Sequence, residues 1–265
     1  MPLLSLDKRP KEDELDEAID LIKRQLSEND LEAFNWFLFR NDLYNLIEYW
    51  QHHFQGLLHR SLRKPYGLSR EKLANLKASP EDVPPFLQDW YDAYKDLIPH
   101  WSTNQIELAL NELFFSEVKR LEKGFVRDYF LFEMELRKQM AYFHQSRYSF
   151  LSKVEINSNS PLYADLRRDP LQLSATLLQE YPHLQEILSA LQTKDPTLIT
   201  SAVHQVLWQK ADTLCEGHYY DIHALLSYTA KLFLLYRREQ LASPNKRDRL
   251  GVLRQEALQN FKQND

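Results

Sequence analysis

Cysteine occurs once, at Cys215, which excludes an intramolecular disulfide and suits a reducing compartment such as the cytoplasm. Glycine is also scarce. Only 5 are present, and Gly124, Gly217 and Gly251 fall where apolar periodicity breaks, as helix-stop residues do. The chain lacks a phosphate-cradling glycine loop, a glycine-flanked serine elbow and a paired-aspartate helix of the kind that binds diphosphates through magnesium. An excess of base is missing too. With 33 basic against 38 acidic residues the net charge is -5, which argues against broad nucleic-acid binding, because neutralising phosphates needs a basic face. No uncharged apolar run approaches the ~20 residues of a membrane helix, and the amino terminus lacks the basic-then-apolar order of a signal peptide. Membrane association is therefore expected only through partners.

What is present is helical periodicity, in a chain whose 43% hydrophobic content supplies ample core. Phe125, Tyr129, Phe132, Leu136, Met140, Phe143 and Phe150 step by threes and fours, which places them on one face of a helix. Unbroken from 125 to 150, that helix would be about 39 Å long, roughly a domain diameter, so other helices must pack along it. Glu133 and Arg137 stand on its flank at i, i+4, with the acid first as the helix dipole prefers. They read as a structural polar pair.

Earlier in the chain, Leu15, Ala18, Ile19, Ile22 and Leu26 share a face, with Glu12, Asp13 and Glu14 in the first turn. Ser27 and Asp30 begin a second helix. Asn41 and Asp42 then offer the cap of a third, so two short helices are expected to form a hairpin whose tip is Arg40-Asn41-Asp42. Residues 57–85 are broken by Pro65, Gly67, Pro80 and Pro84-Pro85 into a surface loop with one short helix near Ser69 to Leu76. Phe86, Trp90 and Tyr94 form an aromatic ridge, and Ser102 with Gln105 makes a capping box ahead of Ile106, Leu110 and Phe114. After the Asn, Ser and Pro-containing stretch 154–163, Asp195-Pro196 reads as a cap followed by proline at the start of a helix that Gly217 closes. Ile222 to Tyr236 gives another apolar stripe, and a basic segment with Lys246, Arg247 and Arg249 leads into a last helix. The expected fold is all-α, an elongated multi-helix bundle around one long central helix. It is either one continuous domain or two lobes, 1–153 and 154–265.

Nine histidines invite a metal hypothesis, but none are paired at i, i+4 on a helix face, and Cys215, His218 and His223 straddle Gly217. Glu216, His218 and Asp221 form a carboxylate-histidine grouping without an accompanying nucleophile. No catalytic, cofactor or metal residue is assigned on this basis. Exposed polar tips on rigid scaffolds are where contacts tend to sit, so Arg40, Asn41 and Asp42, and Lys246, Arg247 and Arg249, are the expected partner-interface residues.

Several segments together resemble the bacterial proteins encoded with V-type ATPase genes and proposed to serve as the C-type or d-type component of that complex. FNWFLFRNDLYNLIEYW (Phe34 to Trp50) is similar to an aromatic helix, an Asn-Asp-containing turn and a leucine-rich helix of that family. PPFLQDWYDAY (Pro84 to Tyr94) resembles its proline pair and aromatic helix, and YFLFEMELRKQMAYFHQSRY (Tyr129 to Tyr148) its central helix. YYDIHALLSYTAKLFLLYRREQL (Tyr219 to Leu241) resembles its penultimate helix in the order of Asp221, Ile222, Ala224, Tyr228, Lys231, Leu232 and Arg237. The order agrees throughout. Two departures stand out: the family's tyrosine-rich opening segment has no counterpart before Met1, and Glu133 and Glu135 replace asparagine-like residues.

The resemblance implies a non-catalytic rotor adapter of a V-type ATPase or ATP synthase, linking the central stalk to the membrane proteolipid ring. It would couple ATP turnover to proton or sodium transport, without cofactor, nucleic acid or direct membrane insertion. Its place would be cytoplasmic, peripheral to the inner membrane through the complex. The competing expectations are a free-standing helical interaction or regulatory module and, behind it, a helical metal-dependent hydrolase.

Overall fold

The computed structural model describes residues 4–6, 12–55, 62–74, 76, 83–147, 162, 163, 166, 173–218 and 220–242. Among them every regular element is a helix, so the fold is all-α. Ten α-helices are bounded within the described residues: α1 (Glu12–Gln25), α2 (Glu28–Gln55), α3 (Arg70–Ala74), α4 (Pro85–Tyr94), α5 (Thr103–Arg120), α6 (Phe125–Arg147), α7 (Ala175–Glu180), α8 (His183–Thr193), α9 (Pro196–Cys215) and α10 (Ile222–Ala242), with a 3-10 turn at Ile98–His100. They group into two compact units, one drawn from 1–107 and 228–265, the other from 108–227. These units partition the chain differently from lobes at 1–153 and 154–265.

In the first unit α2 replaces the expected hairpin. It is a single helix of 28 residues that runs through Arg40, Asn41 and Asp42 without a break. Asn and Asp favour caps when their side chains bond to nearby backbone amides. Here those side chains reach a loop more than twenty residues away, so the local reason to stop is gone. From Phe37 to Ile47 nearly every position is buried, as in a helix surrounded by neighbours. Its amino end is held by Ser27, whose Oγ accepts from the Asp30 amide at 3.3 Å while donating to Asp30 Oδ2 at 2.6 Å.

Aromatic rings fill much of this unit. The Phe86 ring lies parallel to Trp36 at 5.9 Å and edge-on to Phe39 at 5.0 Å. Trp90 stacks on Trp50 at 5.8 Å and meets Tyr94 and Trp101, so the ridge of α4 is core packing. Phe37 on α2 meets Phe233 on α10 at 5.8 Å.

The second unit holds α6, 23 residues long, packed along α9, which in turn packs on α8. Its buried face is rotated slightly from the one the sequence suggests. Phe125, Tyr129, Leu136 and Phe143 are buried as expected, but Phe132 and Met140 are half-exposed while Glu133 and Gln139 are buried. Glu133 is paired with Arg137; Gln139 has His183 on its oxygen while its Nε2 is buried without a hydrogen bond. The capping signals hold: Gln105 N bonds Ser102 Oγ, Ser102 N bonds Gln105 Oε1, and Thr197 N bonds Asp195 Oδ1 at 2.8 Å. Gly217, at φ +82°, supplies the left-handed turn after α9.

Candidate functional site

The most elaborate polar arrangement in the first unit is a clamp between α2 and the loop 62–68. Asn41, Asp42 and Asn45 face that loop. Asn41 Nδ2 donates to the Arg63 and Pro65 carbonyls at 3.0 and 2.6 Å, and Asn45 donates to Arg63 O while accepting from Arg63 N at 2.7 Å. The Asp42 carboxylate accepts from the amides of Gly67 and Leu68 at 3.0–3.1 Å. A loop carrying a cis Lys64–Pro65 peptide is thereby pinned by side chains of one helix. Gly67 permits this approach, because a Cβ there would lie 3.0 Å from Asp42 Oδ2 and 3.4 Å from Leu38 Cβ.

Burial pushes the Asp42 carboxyl up to about 7, against the opposing pull of the two amides, Asn45 and the Lys23 charge. Arg63 also pairs with Glu48 on α2. Around Tyr44 stand three guanidinium groups, Arg40, Arg63 and Arg237, 5.0 to 5.8 Å from the ring centroid. Asp16 on α1 receives Lys64 Nζ at 2.7 Å and the Tyr236 hydroxyl at 2.6 Å. Burial raises the Asp16 carboxyl, but those two donors outweigh it and leave it below its ordinary value.

This geometry corrects the reading of Arg40, Asn41 and Asp42 as an exposed interface tip. All three are buried, at 1%, 4% and 3% exposure, and Asn41 and Asp42 spend their hydrogen bonds on the loop. The loop therefore occupies the polar groups of Asn41 and Asp42 that an exposed tip would offer. The other expected interface residues, Lys246, Arg247 and Arg249, lie outside the described residues.

In the second unit the Glu133–Arg137 pair forms as expected, Arg137 Nε to Glu133 Oε1 at 2.9 Å, but its acid is buried rather than solvated. On the same helix Gln139 Oε1 lies 3.1 Å from His183 Nε2. Burial and the Lys210 charge hold His183 down to about 4, so its imidazole is neutral at physiological pH. Lys210 itself sits over the Phe132 ring at 5.3 Å. Burial and Glu135, which accepts its hydrogen bond, raise the Tyr163 hydroxyl far above the usual range.

A third cluster lies where α10 begins. His218, Asp221 and His223 each offer a ligand atom, all within 4.8 Å of one another. Spacing along a helix face does not foresee this, because His218 precedes the helix and the turn after Gly217 folds it back. Asp221 is the local organiser. One of its oxygens lies 2.6 Å from His218 Nδ1, the main cause that leaves the carboxyl below its ordinary value, and the other accepts from the His223 amide at 2.9 Å. Glu216 is not part of the group.

Among the described residues the fold is all-α, and the polar clamp of the first unit ties α2 to the loop 62–68. The chain belongs to the DUF2764 family, a protein family of unknown function, whose model matches residues 1–248. No curated protein and no solved structure matches it.

Proposed function

We propose that the protein is a non-catalytic rotor adapter of a V-type ATPase or ATP synthase, joining the central stalk to the membrane proteolipid ring on the cytoplasmic side of the inner membrane. The observation that carries this reading is the resemblance of four segments, in order, to the bacterial proteins encoded with V-type ATPase genes. Those segments coincide with α2, α4, α6 and α10, the helices that supply much of the buried aromatic and aliphatic side chains.

A part that transmits torque has to resist twisting between its two contacts. The clamp on α2 supports such a role, because backbone groups of Arg63, Pro65, Gly67 and Leu68 are all tied to a single buried helical face. No described helix is long and apolar enough to cross a membrane, so the proposed link to the ring runs through contacts with other proteins of the complex.

The test is a gentle pull-down of the tagged protein from its own cells with the membrane fraction included. Central-stalk and proteolipid subunits recovered in fixed ratio to the bait are the expected result. Recovery of the bait alone, with the ATPase assembled without it, rejects the adapter and favours a free-standing helical module.

A further inference from the structure

We infer that His218, Asp221 and His223 form a binding site for a divalent transition metal of the zinc class, at the turn between α9 and α10. The site lies wholly within the second unit and stands independently of the rotor reading.

Two imidazoles and one carboxylate constitute a donor set that suits zinc and its neighbours; magnesium and calcium, which prefer all-oxygen shells, are disfavoured by two nitrogens. Three protein ligands with a fourth position left to solvent is the arrangement of an open zinc site. The solvent side is accessible here, since His218 and Asp221 are 45% exposed at the side chain and neighbouring Tyr220 is fully exposed.

The backbone that carries the donors is tied down before any ion arrives. Gly217 turns the chain with its positive φ, the His218 amide bonds the Cys215 carbonyl at 2.9 Å, and Cys215 Sγ donates to His218 O at 3.3 Å. Asp221 is fixed by its bond to the His223 amide, and the Phe125 and His223 rings meet edge-on with centroids 6.3 Å apart. The second pointer is His223 Nδ1 itself, an atom that is buried and makes no hydrogen bond, lying 3.5 Å from Asp221 Oδ1. Tetrahedral zinc with bonds of about 2.0–2.1 Å sets neighbouring donors roughly 3.3 Å apart, close to that separation. At His218 the ion would replace the proton now shared across 2.6 Å with Asp221 Oδ2, and the two imidazoles, stacked at 4.1 Å, would have to turn apart so that their in-plane lone pairs converge on it.

The experiment is a titration of the metal-stripped full chain with zinc chloride, read by competition with a chromogenic chelator, and with cobalt chloride, read by its visible absorption. One equivalent bound, with the intense visible bands of four-coordinate cobalt, is expected. The His218→Ala/His223→Ala double variant should bind about tenfold more weakly or worse, with helical circular dichroism recorded to check the fold because the His223 ring also packs on Phe125. Asp221→Asn keeps the cap acceptor but loses the charge, and should also weaken zinc. Absence of stoichiometric binding in the parent chain, or undiminished affinity in the double variant, overturns the site.

Discussion

At Asp42 a single carboxyl does two opposed jobs. It holds two loop amides, which favours its charge, and it lies almost wholly buried, which opposes it, so its pKa settles at about 7 against an ordinary 3.8. A folded-state pKa above the unfolded one gives stability that is complete below about pH 4 and lost as pH rises through about 7. His183 slopes the other way. Its folded pKa of about 4, against 6.5 unfolded, gives stability that is complete above about pH 6.5 and lost as pH falls toward 4. The two trends cancel over much of one window and are separated by substitution. In Asp42→Asn the Asp42 trend is absent, so the stability gap to the parent should narrow from pH 5 to pH 8 by roughly 2–4 kcal/mol, measured by urea unfolding. In His183→Gln acid sensitivity between pH 6.5 and 4 should fall by about 2 kcal/mol or less, given the partial exposure of the ring. A gap independent of pH in either variant would contradict the corresponding assignment. Gly67→Ala probes the same clamp sterically: the added methyl meets Asp42 Oδ2, and a loss of about 1–3 kcal/mol is expected.

At the scale of elements, continuity of α2 is the feature most open to direct test. Hydrogen exchange should find the amides around Asn41 to Asn45 among the most protected in the first unit; rapid exchange there would restore the hairpin. The caps were legible because they are local: Ser27 with Asp30, Ser102 with Gln105 and Asp195 with Thr197 each satisfy an amide within three residues. Ser102→Ala should accordingly cost α5 about 1 kcal/mol. The false break at residues 40–42 arose from the same logic applied where it does not hold, since a pattern of neighbours cannot reveal that Asn41 and Asp42 are satisfied by Pro65 and Leu68. The burial of Gln139 was hidden for a related reason: its partner His183 lies 44 residues away. The His218, Asp221 and His223 grouping escaped because helix-face spacing says nothing about donors on either side of a turn.

At the scale of the whole molecule, the rotor reading makes a prediction about extraction. With no described helix able to span a bilayer, the chain that sediments with membranes should be released by an alkaline carbonate wash; retention in the washed pellet would contradict attachment through other proteins. A different consequence follows from how the first unit is drawn from two distant stretches of chain. Tyr236 reaches Asp16 across 220 residues, and Phe233 packs on Phe37, so this unit has no complete core until α10 has been synthesised. The second unit is one uninterrupted stretch. On the ribosome the middle of the protein can therefore close first, while α1 and α2 wait with apolar faces uncovered, the interval in which a growing chain is most exposed to proteases and most dependent on chaperones.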